Sequence, residues 1–356
     1  MNPLVTKIHR VFPAYCRTQC CRKTPATAGP QIRVLARLVC CAGLIACLIG
    51  CAPKQARLEP IRIIDDAHNG GNALAISPDS RVGASGGWAG RIRLWRLPGG
   101  APMAHWQTPH GDLGGLMFLP DSNRLLSAGR DGVVRVWDLG GRLLTAYPVG
   151  SSVTSFYPGS DTSSVVLGHA DGRVSHWTVD GKRLGLWELS SRRITAVATN
   201  KSLGLFAASD YAGRVWRWRK DGPPEKLESP ASYARSLVFN PVNDGLLGSG
   251  WFDLFSWPAD GVKLQAISTA HRGIVNHLQF IGDGRYVASI SRQTDSAILL
   301  LDPQTGATLA DYKKHALCGQ RVALSPDGRF MMSNSDDASV RFYTLPAMPR
   351  RDNVAP

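Results

Sequence analysis

Seven copies of one pattern of turns and short strands occupy most of this chain, between Pro60 and Pro346. Each copy has a turn rich in Pro or Gly, a short apolar strand, a small polar turn and a strand that ends in a large apolar residue. These strand-ending residues, spaced by 39 to 44 positions, are Trp95, Trp137, Trp177, Trp218, Trp257, Leu301 and Tyr343. A period near forty with several strands in each unit is typical of β-sheets repeated around an axis. It predicts one closed all-β body, although 356 residues would allow two domains.

The turn residues support this prediction. Turns that contain Pro followed by Asp recur at residues 77–80, 119–122 and 325–328. Proline presets φ for the turn, while Asp or Ser bonds to its own backbone and glycine supplies positive φ. Asp131-Gly132 marks a tight hairpin between two strands of one copy.

The clearest copy begins at Leu119 and closes on Trp137-Asp138. Its order of turns and strands resembles the WD40 repeat, and the resemblance extends over most of the chain. It implies an all-β, seven-bladed WD40-like β-propeller with four-stranded antiparallel blades. A strand at residues 62–65 would complete the last blade and so remove the free edges of the ring.

The predicted domain organisation follows from these boundaries. It comprises a signal peptide at 1–50, a tether at 51–58, the propeller at 59–346 and a flexible tail at 347–356.

The resemblance also implies a hydrogen-bonded network of His, Ser, Asp and Trp within each blade. One copy has all four residues at matching positions: His110, Ser127, Asp131 and Trp137. The last copy has Tyr343 in place of Trp, together with His315, Ser333 and Asp337. Because one histidine in each blade places these residues far apart around a ring, a structural role is expected for them and no metal site.

The first fifty residues differ from the rest in charge and in cysteine content. They hold seven of the 41 Lys and Arg residues and none of the 27 Asp and Glu residues. Without them the net charge of +14 falls to +7, from 34 basic and 27 acidic residues. Seven of the eight cysteines lie within the first 51 positions, but no two CxxC motifs pair there, which argues against a metal site.

An uncharged stretch, 38–50, leads into Cys51. Thirteen residues are too few to span a bilayer but suit the core of a signal peptide. The run Leu48-Ile49-Gly50-Cys51 resembles the lipobox of bacterial lipoproteins, in which the chain is cleaved before the cysteine and the cysteine carries acyl chains such as palmitate. Cys51 is therefore the expected lipidation site, and several acyl chains together would anchor the protein stably.

The residue after the cysteine indicates the destination. Ala52, in place of Asp, resembles the version of this signal that is sorted onward, so we expect the periplasmic face of the outer membrane. The basic segment before the apolar core is longer than the lipoprotein pattern requires. A mitochondrial presequence would also be basic, but it should be rich in Ser, and none precedes Ser77.

Sequence motifs of catalysis are nearly absent. The run Gly83–Gly87 matches G-x-S-x-G, the pattern of the hydrolase nucleophile elbow. That elbow lies between a strand and a helix, whereas this run lies at the end of one predicted strand and is followed by a second strand. No catalytic residue, metal or cofactor is therefore expected. The arginines are dispersed over the repeats, which argues against nucleic acid as a partner.

The turns between the second and third strands of the copies carry unlike residues. Family geometry places these turns on one rim of the ring, and the candidate partner-binding residues there are Trp88, Arg130, His169, Tyr211, Trp251 and Arg292. Trp, Tyr and Arg dominate the binding energy of protein interfaces. In the alternative interpretation, Trp88 or Trp251 folds down onto its own blade.

These features predict a non-catalytic, membrane-anchored protein–protein interaction scaffold of the bacterial cell envelope. It would bind a protein or peptide on the propeller rim and the membrane through Cys51. Two alternatives stay open: a periplasmic propeller enzyme of the lactonase or hydrolase type, and an envelope assembly factor.

Overall fold

The computed structural model describes residues 57–159, 163–200 and 203–346. These residues form 28 strands in seven four-stranded antiparallel sheets, and they contain no α-helix. The seven-bladed, all-β fold predicted from the repeat is thereby confirmed. The predicted signal peptide, the predicted lipidation site Cys51 and the predicted tail at 347–356 lie outside the described residues.

Each blade is a sheet of four strands that follow one another from the centre of the ring outward. Blade 1 has β2 (Gly71–Ile76), β3 (Val82–Gly87), β4 (Arg91–Arg96) and β5 (Ala101–Gln107). Blade 2 has β6 (Leu113–Phe118), β7 (Arg124–Gly129), β8 (Val133–Asp138) and β9 (Leu143–Pro148). Blade 3 has β10 (Val153–Pro158), β11 (Ser164–His169), β12 (Arg173–Thr178) and β13 (Arg183–Glu188). Blade 4 has β14 (Ile194–Asn200), β15 (Leu205–Asp210), β16 (Val215–Arg219) and β17 (Glu225–Leu227).

The remaining blades follow the same order. Blade 5 has β18 (Leu237–Phe239), β19 (Leu246–Ser249), β20 (Asp253–Trp257) and β21 (Gln265–Ser268). Blade 6 has β22 (Ile274–Ile281), β23 (Tyr286–Arg292), β24 (Ile298–Leu301) and β25 (Thr308–Tyr312). Blade 7 has β26 (Gly319–Leu324), β27 (Phe330–Ser335) and β28 (Val340–Thr344), with β1 (Arg62–Ile64) as its outer strand.

The first and last strands of the chain close the ring. Strand β1 pairs antiparallel with β28, with Ile63 opposite Arg341. The residues just before β1 also reach blade 6, because the Leu58 amide donates to the Asp311 carbonyl at 2.8 Å. One short segment therefore ties the last two blades together and covers an edge that would otherwise be open to pairing with another chain.

The hydrophobic core is divided among the gaps between neighbouring blades. Seven clusters of buried side chains each draw members from two adjacent blades, and together they complete the circle. The strand-ending aromatics take part: Trp95 packs with the last blade in one cluster, and Trp257 packs with blade 4 in another. The alternation along each strand arises because one face of every sheet packs on each neighbour.

The innermost strands surround a central channel and share a local irregularity. In six blades the pairing of the first strand with the second shifts by one residue, near the start of the first strand. The skipped residues are Asn72, Gly114, Thr154, Thr195, Asn276 and Gln320. Such β-bulges re-aim the side chain of the extra residue, and all but Gly114 therefore present a polar side chain at the same level of the channel.

No helix among the described residues is both long and apolar enough to cross a membrane.

Candidate functional site

The blade network is complete in blade 2. The Nδ1 atom of His110 lies 2.7 Å from an Asp131 carboxylate oxygen, and its Nε2 atom lies 2.8 Å from the Ser127 hydroxyl. The Trp137 indole donates to the same hydroxyl at 2.8 Å. These hydrogen bonds join the loop before the first strand to the second and third strands of the blade.

Blade 7 has a shorter version of the network. His315 contacts the Ser333 hydroxyl at 2.7 Å and the Asp337 carboxylate at 3.1 Å. Tyr343 stands at the position of Trp137, and its hydroxyl donates to the Lys313 carbonyl at 3.0 Å.

A third network, in blade 6, is not recognisable from its strand-ending residue, which is Leu301. His271 lies 2.8 Å from the Ser289 hydroxyl and 3.5 Å from the Asp295 carboxylate. The sequence indicates this network only through the position of His271 before the first strand, because blade 6 has no Trp at the end of its third strand.

His169, a predicted rim residue, is buried, with 1% of its surface exposed. Its Nε2 atom lies 2.6 Å from the Ser175 hydroxyl, which also accepts the Trp177 indole N–H at 2.8 Å. In blade 3 the histidine therefore comes from the second strand and the serine from the third, whereas in blade 2 the histidine precedes the first strand and the serine lies on the second. This side chain belongs to the interior of its blade.

The serine of the G-x-S-x-G run pairs with a histidine in the interior of blade 1. Ser85 is fully buried, accepts the Trp95 indole N–H at 2.6 Å and lies 2.7 Å from Nε2 of His68. Burial, with smaller contributions from Arg93 and Arg91, lowers the pKa of His68 to about 3. A hydroxyl held between two interior groups is not positioned to attack a substrate.

The other predicted rim residues lie on one face of the ring, which carries the turns between second and third strands. We call it the upper face. Tyr211, Trp88 and Trp251 are exposed there by 53%, 47% and 45%. Arg130 is exposed and pairs with Asp112 at 3.5 Å, while Arg292 pairs with Asp336 at 3.8 Å.

Two of these aromatic residues also contact their own blade. Gly70 has a φ of +84°, and a Cβ built on it would lie 2.9 Å from the Trp88 ring, so this ring covers the glycine backbone closely. Trp251 lies edge-on to Phe252, with the ring centroids 5.9 Å apart. Phe252 has a φ of +66°, which is uncommon for a bulky residue, and its ring is exposed. Sequence patterns did not identify Phe252, because positive φ cannot be inferred from its side chain.

The channel has two cavities of opposite character. A cavity of about 600 Å³ lies toward the lower face, among Phe118, Phe156, Leu278 and the prolines of the lower turns. A cavity of about 510 Å³ opens at the upper face and is lined mainly by polar groups. Arg321 lines both and thus marks the boundary between them.

Polar side chains around the upper cavity connect one blade to the next. The donor and acceptor pairs are Thr154 to the Ile194 carbonyl (2.7 Å), Thr195 to the Ala234 carbonyl (2.6 Å), Arg235 to the Asn276 side chain (3.3 Å), Asn276 to the Gln320 carbonyl (2.9 Å) and Arg321 to the Asn72 carbonyl (2.9 Å). Most of these donors are the bulged residues or their neighbours. The bulges therefore position side chains that hydrogen-bond neighbouring blades to one another at this level of the ring.

Beside the cavity, four side chains form a row. The Arg193 guanidinium lies 5.1 Å from the centre of the Tyr211 ring, and the Tyr211 and Tyr233 rings lie 4.8 Å apart. The Arg235 guanidinium lies 5.3 Å from the centre of the Tyr233 ring, and it donates a hydrogen bond to the Tyr233 hydroxyl at 2.9 Å. Only Tyr211 of this row was predicted, because the others come from loops between blades that the repeat pattern does not distinguish.

Within the described ranges, no three His, Cys, Asp or Glu side chains come together in a way that could hold a metal ion. The predicted histidines belong instead to separate blades.

Seven four-stranded antiparallel blades form a β-propeller, and blades 1, 2 and 3 each hold a His–Ser–Trp network. Residues 58–96, 103–138 and 309–344 match the family model described as "WD domain, G-beta repeat". The chain therefore contains WD40 repeats, in agreement with the resemblance seen in the sequence.

Curated proteins with related sequences include "DDB1- and CUL4-associated factor 13" of Dictyostelium discoideum, 24% identical over 76% of this chain and 53% of its own length. "Striatin-4" of Mus musculus is 26% identical over 83% of this chain and 31% of its own length. "Pre-rRNA-processing protein IPI3" of Mycosarcoma maydis is 31% identical, over 77% of this chain and 53% of its own length. The chain thus spans about half or less of the length of these relatives.

Proposed function

We propose that this protein is a non-catalytic interaction scaffold that binds a partner protein on the upper face of its propeller. The observation that carries the proposal is the set of exposed side chains in equivalent turns, above all Tyr211, which is the most exposed of the rim aromatics. Trp and Tyr are among the residues that supply most of the binding energy at protein interfaces.

The relatives support a protein partner in general terms. The name of the Dictyostelium protein records an association with DDB1 and CUL4, which is a property of that protein. A rigid ring that displays unlike loops on one face suits such a role, because binding residues are commonly presented on loops by a stable scaffold.

Photo-crosslinking in intact cells tests the proposal. A photoreactive phenylalanine analogue at Tyr211 or Trp251 should capture a discrete partner. Val242 provides the matched control, because it is 68% exposed on the lower face, in a turn between a first and a second strand. Capture from Val242 alone, or from no position, would contradict binding at the upper face.

We further propose that Cys51 carries the lipid that anchors the protein to the periplasmic face of the outer membrane. The support is in the sequence: a basic flank, an apolar run of signal-peptide length, and a cysteine at its end. Cys51→Ser should release the protein from the membrane fraction, whereas Cys318→Ser, in the propeller, should leave it there. Unchanged fractionation of Cys51→Ser would contradict the anchor without bearing on the upper face.

A further inference from the structure

The upper cavity has more positive charge than the described carboxylates compensate. Arg193, Arg235 and Arg321 all line it. Asp112 is the acid in the same lining, and it is already paired with the exposed Arg130. Arg130, which also lines the cavity, is the partner of Asp112, whereas no carboxylate of residues 57–159, 163–200 or 203–346 forms an ion pair with Arg193, Arg235 or Arg321.

Arg321 is the deepest of the three. Its Nε atom donates to the Asn72 carbonyl at 2.9 Å, an uncharged acceptor. Burial lowers the pKa of the guanidinium to about 10, so the charge persists at neutral pH without a counter-ion. Arg321 is only partly exposed to solvent, and a charge largely removed from water is costly unless it is paired, so an anion entering from the channel mouth would offset that cost.

Arg235 is partly buried between this point and the surface. It donates to the Asn276 side chain at 3.3 Å and to the Tyr233 hydroxyl at 2.9 Å, while its buried Nε atom has no partner among the described residues. The two bonds hold the guanidinium in place and use one N–H of each terminal nitrogen, so each terminal nitrogen keeps one further N–H to donate. This arrangement suits a carboxylate, which accepts two parallel N–H groups.

The row of Arg235, Tyr233, Tyr211 and Arg193 borders the cavity, which three of its four members line. Each neighbouring pair lies about 5 Å apart, and the row ends at the exposed Tyr211 ring and the exposed Arg193. A small free anion would contact only part of such a row. A chain of several residues would contact its whole length.

We propose that the upper cavity and this row form a binding site for an acidic segment of the partner protein. Glu or Asp carboxylates of that segment enter the cavity toward Arg321 and Arg235, and the rest of the segment crosses Tyr211 and Arg193. The inference rests on the proposed function, since it specifies the chemistry of the partner at the same face.

Binding of a synthetic peptide tests the site directly. The probe is a fluorescein-labelled deca-glutamate, titrated onto the full-length protein and followed by fluorescence anisotropy at low salt. Arg321→Gln should weaken binding at least tenfold, and Arg321→Lys should recover part of the loss because it keeps the charge. Arg183→Gln, on the exposed outer strand β13, should change the dissociation constant less than twofold.

A second variant covers the case in which Arg321→Gln does not fold. Arg193→Gln changes an exposed side chain, so its fold should be intact by circular dichroism, and it should weaken binding about threefold. Equal affinity in Arg193→Gln and wild type, or equal affinity for deca-glutamine, would overturn the proposal. Tighter binding of a single-stranded oligonucleotide through the same arginines would also overturn it, in favour of nucleic acid.

Failure of the acidic-segment site and failure of the scaffold function would give different experimental results. If Tyr211 crosslinks a partner in cells and Arg193→Gln and Arg321→Gln do not reduce the yield, the scaffold function stands and the acidic-segment site is refuted. If neither Tyr211 nor Trp251 captures a partner, the scaffold function at this face fails whatever the peptide does.

Discussion

Buried histidine side chains connect parts of their own blades by hydrogen bonds, and their contribution to stability requires the neutral form of the imidazole. His68, His110 and His315 are buried, and burial is the main cause of the lowered pKa of each. Each reaches a serine on the second strand, so a loop is bonded to the sheet it precedes. Because a buried neutral group must take up a proton on unfolding in acid, these residues couple the stability of the ring to pH.

The pH dependence can be tested at His68, whose network lacks an acid. Its folded-state pKa of about 3 is below the ordinary value of 6.5, so between these values the unfolded state binds more protons. Its contribution to stability is present above pH 6.5 and is lost as the pH falls toward 3. His68→Gln should make the free energy of unfolding less steep in this window, by at most about 1.4 kcal/mol per pH unit.

Urea unfolding at several pH values between 7.5 and 4 measures this slope. His105→Gln is the control, because His105 is exposed, and it should keep the wild-type slope. Parallel curves for His68→Gln and wild type would show that His68 titrates alike in the folded and unfolded states.

The Ser127 hydroxyl is the centre of the complete network in blade 2. Ser127→Ala would leave the Trp137 indole N–H and the His110 Nε2 atom buried without their partner. We expect a loss of about 2–3 kcal/mol in the free energy of unfolding, because buried polar groups then lack hydrogen bonds. Ser229→Ala, at an exposed loop position, should change it by less than about 0.5 kcal/mol. Equal urea midpoints for the two variants would contradict a structural role of the network.

At the scale of strands, the repeat predicted the blades well and their irregularities poorly. The spacing from Trp95 to Tyr343 identified the third strand of every blade, because the period reports the large buried residue directly. It did not reveal the bulges, since one extra residue in a strand is within the variation of the period. The same limit applies to His169 and His271, because a hydrogen bond between two strands leaves no periodic signal.

The bulges make blades contact one another through side chains at the upper level of the channel. Thr154→Val tests one such contact, because the Thr154 hydroxyl donates to the Ile194 carbonyl of the next blade at 2.7 Å. The free energy of unfolding should fall by about 1–1.5 kcal/mol, the value of one hydrogen bond. Thr154→Ser should recover most of it, and Thr145→Val, on the exposed outer strand β9, should cost much less. Identical urea midpoints for Thr154→Val and Thr145→Val would argue against a contribution from this contact.

At the scale of the whole molecule, the ring holds its shape because no blade has a core of its own. Each cluster of buried side chains is shared by two neighbours, including the pair that joins the last blade to the first. Loss of contact at one gap therefore exposes apolar surface on two blades at once. The closing segment at the start of the propeller acts at such a gap, so its backbone bonds should matter more than its exposed side chains.

Ile61 separates these two effects, because its amide donates to the Phe342 carbonyl at 2.8 Å while its side chain is half exposed. Ile61→Pro removes the donor beside the pairing of β1 with β28 and should lower the free energy of unfolding by about 2–3 kcal/mol. Ile61→Ala keeps the donor and should cost less than about 1 kcal/mol. Thermal unfolding measures both, and size-exclusion chromatography should show association of Ile61→Pro, because a loosened β1 leaves the edge of β28 free to pair with another chain. If Ile61→Pro matches Ile61→Ala in melting temperature and elutes at the same volume, closure does not depend on this strand, and the packing between blades alone holds the ring.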